Sequence, residues 1–320
     1  MLKKLLSYAL CALPLVGAAT VHAAGYPERP IRMVIPFPPG GTLDALGRDV
    51  AKQLSDQTGQ NVVVENRAGG NGTIGADVVA RSKADGYTLL FSASTFVTAP
   101  MTMTSVPFKV EKDFVPVAMA AKAPLSVSVR KDLPVKDLAD LLKYAKANPG
   151  KLTFAVGSIG SAGHLSTALL KRLGGMDYMV VPYKGTAPAF QDLIGGRIDG
   201  FIDPVLGAME YYRSGMLRIL AVTADKRLGS LPDVPTVSET LPGYQYYSWY
   251  GLWAPAGTPP GIVQKLNTEV NKALGGDIQA KYTRLGLLIT PGSVEDFARF
   301  QREDMAAAKR LIDEEGIRVE

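Results

Sequence analysis

The chain has 320 residues, 47% hydrophobic and 20% charged, with a formal net charge of +5 at neutral pH. That length suits two domains of ordinary size, and a mild basic excess with no Lys/Arg cluster offers no nucleic-acid face. One cysteine and two histidines leave little for thiol or imidazole chemistry.

Residues 1–23 read as an export signal. Lys3 and Lys4 precede an apolar segment from Leu5 to Ala19, and Val21-His22-Ala23 places small residues where a signal peptidase reads. A membrane anchor is the alternative, but the segment is short and no later stretch approaches ~20 apolar residues. Cleavage would remove Cys11, His22 and both lysines, leaving a charge of +3 and His164 as the remaining histidine. A disulfide framework, a thiol nucleophile and a Cys/His metal site are then excluded. The expectation is a soluble, periplasmic chain with no metal and no cofactor.

In chain order, Ile31 to Ile35 reads as a buried parallel strand that feeds the loop Pro36-Phe37-Pro38-Pro39-Gly40-Gly41. Leu43, Leu46, Val50 and Leu54 follow as one helical stripe, which Gly59 ends. A strand over Val62 to Glu65, a helix over Ile74 to Ala84 and a strand over Tyr87 to Phe91 complete two βα units and a third strand. Right-handed crossovers make such strands parallel. Ser92 to Pro100 is expected as a third loop, and Phe114 to Ala121 with Leu125 to Val129 as two strands crossing between domains.

The second unit repeats the pattern. Helices are expected over Leu138 to Ala147, Leu165 to Leu173, Ala187 to Ile194 and Val205 to Tyr212. Strands are expected over Leu152 to Val156, Tyr178 to Val181, Ile198 to Ile202 and Leu217 to Val222, with glycine at nearly every helix exit. The aromatic run Tyr244 to Tyr250 and a strand over Leu252 to Ala254 form the return crossing. Ile262, Leu266, Val270 and Leu274 mark a helix, Ser293 with Asp296 a capping box, and the C-terminal helices are expected to pack on the first domain. The fold class is α/β: doubly wound domains over residues 24–122 with 249–320, and over 123–248, joined by two crossings that act as a hinge.

Ligands of open parallel sheets bind beyond the strands' carboxyl ends, so the loops there are the candidates. At Pro36 to Gly41 a helix start points unpartnered N–H groups and a positive dipole outward, which makes an anion cradle or a plain βα turn. Asn66 to Gly72 and Ser92 to Pro100 accompany it in the first domain. Gly157 to His164, Tyr183-Lys184-Gly185-Thr186 and Asp203-Pro204 face it from the second.

Gly70-Asn71-Gly72-Thr73-Ile74-Gly75 matches GxGxxG, but after Asp77 and Asp85 no acid follows until Glu111, so the ribose partner of a dinucleotide site is missing. Val156-Gly157-Ser158-Ile159-Gly160 resembles a nucleophile elbow without its first glycine. His164 lies on the same segment and no histidine follows it, so the order Ser, Asp, His cannot be completed. His164 by its position suits a helix start, and Lys184 could equally be solvated. Phe37, Phe96, Tyr183 and Trp249 are candidates to wall the cleft, with core packing favoured for Trp249.

Four stretches together resemble the receptors of tripartite tricarboxylate transporters, the Bug-type solute-binding proteins. They are Pro36 to Asp44; Glu65-Asn66-Arg67 to Gly75 with Asp85 to Leu90; Val181 to Gly185 and on to Asp199; and Leu231 to Thr236 with Trp249 to Thr258. The resemblance implies two Rossmann-like domains of the venus-flytrap type, a carboxylate ligand and a permease partner. It implies ligand contacts at Pro39, Gly40 and Gly41 and, from the second domain, at Ser158, Gly160 and Ser161, then Tyr183, Lys184, Gly185, Thr186 and Asp203. The loop positions themselves add Phe37, Asp44, Ser92, Ser94, Thr95 and His164 as candidate ligand-binding residues. One departure stands out: Ser158 occupies the first position of a customary Gly-x-Gly-Ser.

The expected function is therefore a non-catalytic, monomeric receptor for a di- or tricarboxylate, an aromatic carboxylate or an acidic amino acid. The alternatives are a secreted serine hydrolase using Ser158 or Ser161 and the ligand-sensing partner of a signalling system.

Overall fold

The computed structural model describes residues 25–318; the expected export signal lies outside them. Strands β1 (Ile31–Ile35), β2 (Val62–Asn66) and β3 (Thr88–Ala93) are parallel, in the order β2-β1-β3. Met33, Val34 and Ile35 are fully buried, as a parallel strand covered on both faces requires. Helix α1 (Thr42–Thr58) buries the stripe Leu43, Leu46, Val50 and Leu54, and Gly59 closes it in the left-handed conformation at φ 69°. Helix α2 (Thr73–Ala80) follows β2 and stops short of Ala84.

Two long strands carry the chain between the sheets. β4 (Phe114–Arg130) and β9 (Tyr247–Pro255) pair antiparallel, and β9 also borders β3. β4 is one strand rather than the two expected. Pro124 forms the last rung with β9, opposite Tyr247; from Leu125 onward β4 pairs with β7 (Gly200–Pro204), and from Ser126 with β8 (Leu217–Val222). Proline lacks a donor, and it stands where the ladder changes partner. β7 continues the second sheet through β5 (Leu152–Val156) to β6 (Tyr178–Pro182), all parallel. Helices α5 (Leu138–Ala147), α6 (Ala162–Gly174), α7 (Thr186–Ile194) and α8 (Val205–Arg213) cover it. This is a two-domain α/β fold of the periplasmic binding protein type.

The expected loop Ser92 to Pro100 is mostly helix α3 (Thr95–Thr102), with Pro100 inside it. Phe96, Val97 and Ala99 are buried, and the packing of Phe96 and Val97 with Phe108, Phe114 and Trp253 overrides the proline and threonine signals. The short α4 (Val110–Asp113) precedes β4. β9 begins at Tyr247 rather than Leu252, because alternate residues of the aromatic run face opposite sides of the sheet.

Helices α9 (Pro260–Ala273) and α10 (Gly276–Arg284) pack on the β1 side through Ile262, Leu266, Val270 and Tyr282. A two-residue strand β10 (Leu288–Ile289) then joins β4. Helix α11 (Val294–Glu314) starts with the capping box of Ser293 and Asp296. Its first half meets the hinge strand: Trp249 Nε1 donates to Asp304 Oδ2 at 2.9 Å, and Trp253 Nε1 to Gln301 Oε1 at 2.7 Å. Its second half buries Ala308, Leu311 and Ile312 against Leu165 and Ala168 of α6. The last helix thus bridges both sheets instead of packing on one. Among the described residues, no helix is long and apolar enough to cross a membrane.

Candidate functional site

A cavity of ≈ 120 Å³ lies where the two sheets face each other. Four helix starts border it: Thr42 and Leu43 of α1, Ala162 and Gly163 of α6, Ala187 and Pro188 of α7, and Pro204 before α8. The residues capping α1, α7 and α8 are Gly41, Gly185 and Pro204, and none supplies a side-chain cap. Their first-turn N–H groups are available to a ligand, backed by the positive ends of the helix dipoles. At α6 the Ser161 hydroxyl accepts from the His164 N–H at 3.3 Å. Gly163 is required by close packing, since a Cβ there would sit 2.2 Å from the Ile202 carbonyl oxygen.

The proline-glycine loop is braced from below. The Asp44 carboxylate accepts the Gly40 N–H at 3.2 Å and the Asn66 amide at 2.9 Å, and Asn66 also donates to the Phe37 carbonyl at 3.0 Å. Burial alone would raise the Asp44 pKa; the bonds from Arg48, Asn66 and Gly40 outweigh it and leave the pKa below the usual carboxylate range. Asp44 borders the cavity, but its oxygens serve the loop. Gly40 is exposed and spends its N–H on this bond without bordering the cavity, whereas Phe37, Pro39 and Gly41 face the cavity with Thr95 and Ala93. Across the mouth, a Cβ on Gly185 would lie 3.7 Å from Pro38, and one on Gly41 3.6 Å from Thr186 Oγ1.

The opposite wall holds Ser158, Ser161, Lys184, Gly185, Thr186 and Asp203. Lys184 is exposed at the rim. Asp203 ends β7, and among the described residues its carboxyl has no hydrogen-bond partner and no ion pair. Burial pushes its pKa well above the usual carboxylate range. Tyr250, whose pKa burial and then the Asp203 charge raise, lines the same cavity beside Ser248.

Five further residues expected in the cleft stand behind it. Ser92 and Ser94 are buried, with hydroxyls unpartnered in the structure, behind the wall formed by Ala93 and Thr95. Gly160 is tucked against Thr102 at φ 74°, and its N–H donates to His164 Nδ1 at 3.2 Å. Burial lowers the His164 pKa to about 4. The imidazole therefore fastens a turn. Tyr183 donates its hydroxyl to Asp192 at 2.8 Å, and burial followed by that carboxylate raises its pKa to about 12. Local sequence cannot tell which way such side chains turn.

Ser248 and Tyr250 of β9 were missed, together with Ala187 and Pro188 at the start of α7. Reading Tyr247 to Tyr250 with a period of two would have put Ser248 and Tyr250 on one face. Neither cleft serine bonds the His164 ring, so no nucleophile and base pair is formed. Among the described residues, no cluster of His, Cys, Asp or Glu could hold a metal ion.

Two lobes on a pair of continuous strands, with backbone donors converging between them, define a solute-binding receptor rather than an enzyme. The chain belongs to the tripartite tricarboxylate transporter family receptors, which it matches over residues 46–317. It is similar to the solved structure of Rhodopseudomonas palustris Rpa4515 with adipate: 38% identity, 92% of this chain and 99% of that chain covered, TM-score 0.88. The periplasmic binding protein BugD matches at 34% identity over 92% of this chain and 99% of its own, TM-score 0.85. MatC from R. palustris with bound malate matches at 33% identity over 90% and 100%, TM-score 0.83.

Proposed function

We propose that this protein is exported to the periplasm, captures a small organic carboxylate between its lobes and delivers it, as a monomer, to the membrane permease of a tripartite transporter. The observation that carries this reading is the convergence of helix starts from both lobes, α1 from one and α6, α7 and α8 from the other, on one small cavity. Backbone N–H groups and dipoles suit a carboxylate without a buried guanidinium that would be left unpaired in the empty state. Phe37, Pro38, Pro39 and Leu43 supply apolar walls for a short carbon chain. Pro39 and Gly41 would hold one carboxylate, and the Ser158, Ser161 and Thr186 side would select the rest of the ligand.

Residues 24–122 with 249–320 would form one lobe and 123–248 the other, closing by bending of β4 and β9. Ligand contacts to both lobes at once would drive closure, since only differential binding shifts such an equilibrium. Adipate and malate, held by two of the similar proteins, make dicarboxylates the first probes; tricarboxylates, aromatic carboxylates and acidic amino acids complete the panel. Calorimetry on ligand-free protein tests the proposal. Dissociation constants of about 10 μM or tighter for at least one carboxylate are expected, and no binding across the panel would sink it.

A further inference from the structure

The glycine segment that mimics a dinucleotide fingerprint does not line the cavity. It builds a reach across it. Gly69, Gly70, Asn71 and Gly72 have φ of 129°, 54°, 57° and 88°, and Asn71 is the non-glycine residue with positive φ among the described residues. Asparagine tolerates this region better than most side chains. The turn projects the Asn71 amide away from its own sheet, and Nδ2 donates to the Ile159 carbonyl at 2.7 Å. One residue on, Thr98 Oγ1 of α3 donates to the Gly160 carbonyl, also at 2.7 Å. Two consecutive carbonyls of one wall are thus held by side chains of the other, at sequence separations of 88 and 62 residues. The residues flanking them, Ser158 and Ser161, face the cavity.

We infer that Asn71 and Thr98 are positioning residues that clasp the Ser158–Ser161 segment across the cleft, hold the lobes together and slow ligand release. Neither residue borders the cavity, so each acts through the segment it holds. Opening the cleft breaks both hydrogen bonds, and their loss therefore raises dissociation more than it lowers association. The binding arm of the test rests on the carboxylate-receptor reading; the scattering arm does not.

Asn71→Gly keeps the left-handed backbone and removes the donor. Thr98→Val removes the hydroxyl at constant shape, and Thr98→Ser retains it. With adipate and malate as probes, stopped-flow dissociation is expected to quicken about fivefold for each loss and about 25-fold for the double variant, with association changed by less than about twofold. Thr98→Ser should behave as the parent, which a merely structural role would not single out. Small-angle scattering of ligand-free protein should show a larger radius of gyration for the double variant. Parental scattering together with parental dissociation in that variant overturns the inference. If neither probe binds the parent, dissociation is read with whichever carboxylate of the panel the parent does bind; if none binds, the carboxylate reading fails, and scattering by itself decides the clasp.

Discussion

Arg48 grips Asp44 one helical turn back, its Nε 3.1 and 3.0 Å from the two carboxylate oxygens, and through Asp44 it fixes the loop that opens the cleft. The pair joins the start of α1 to the Gly40 N–H and to Asn66 at the end of β2. The loop is therefore held in shape before a ligand arrives, which reduces the ordering that binding must impose.

Replacing Asp44 with Ala should cost about 1–3 kcal/mol of stability, because Asn66 and the Gly40 N–H lose their acceptor in a nearly buried site. Its pKa is lowered in the fold, so its contribution is full above the unfolded carboxylate value and is lost as pH falls below it. Urea melts at about pH 6 and about pH 3 should show a smaller acid loss for Asp44→Asn than for the parent.

His164 titrates in a separate window. Its folded pKa is about 4, below the unfolded value of 6.5, so the fold is favoured above 6.5 and loses stability as pH drops from 6.5 toward 4. The full difference corresponds to roughly 3 kcal/mol. The ring proton resonance of His164 should stay at its neutral position down to about pH 5, and His164→Gln should flatten this part of the stability profile.

Gly41→Asp separates binding from folding. Aspartate is a good N-cap for α1, and the nearest group to the new Cβ is Thr186 Oγ1 at 3.6 Å, so the thermal midpoint should hold or rise. The added carboxylate would occupy the N–H groups meant for the ligand. Calorimetry should show at least about 100-fold weaker binding of every carboxylate that the parent binds; surviving affinity would reduce the loop to a turn.

Asp203 stands unpaired in a cavity proposed for anions, and burial raises its pKa. An acid whose folded pKa is raised opposes folding once pH exceeds its unfolded value, so Asp203→Asn should stabilise the ligand-free protein near neutral pH. In the parent, affinity for a dicarboxylate should fall as pH rises and Asp203 ionises. The amide variant should bind with little pH dependence, as read by calorimetry over a pH series that rises from the ordinary carboxylate range.

The βα units were legible because their signals are local. The stripe from Leu43 to Leu54 with its Gly59 stop, α5 over Leu138 to Ala147, and the capping box of Ser293 and Asp296 all stand as read. Helix α3 was not legible: Pro100 and the surrounding threonines point to a loop, and only burial of Phe96 and Val97 makes a helix of them. Nor was the bridging role of α11, since its apolar face carries no mark of which sheet it will meet.

The site divides in the same way. By itself the sequence determined where a backbone cradle can form, because such a cradle needs glycine and proline at helix starts and those residues stand in the text of the chain: Pro39, Gly41, Gly185, Pro204. Only the tertiary structure decided which side chains join them. Asp44, His164 and Tyr183 turn to partners within their own lobe, Ser248 and Tyr250 enter from a strand, and Asn71 crosses to Ile159. A side chain's direction is set by whichever donor or acceptor the folded chain brings within about 3 Å, and that neighbour can lie 88 residues away.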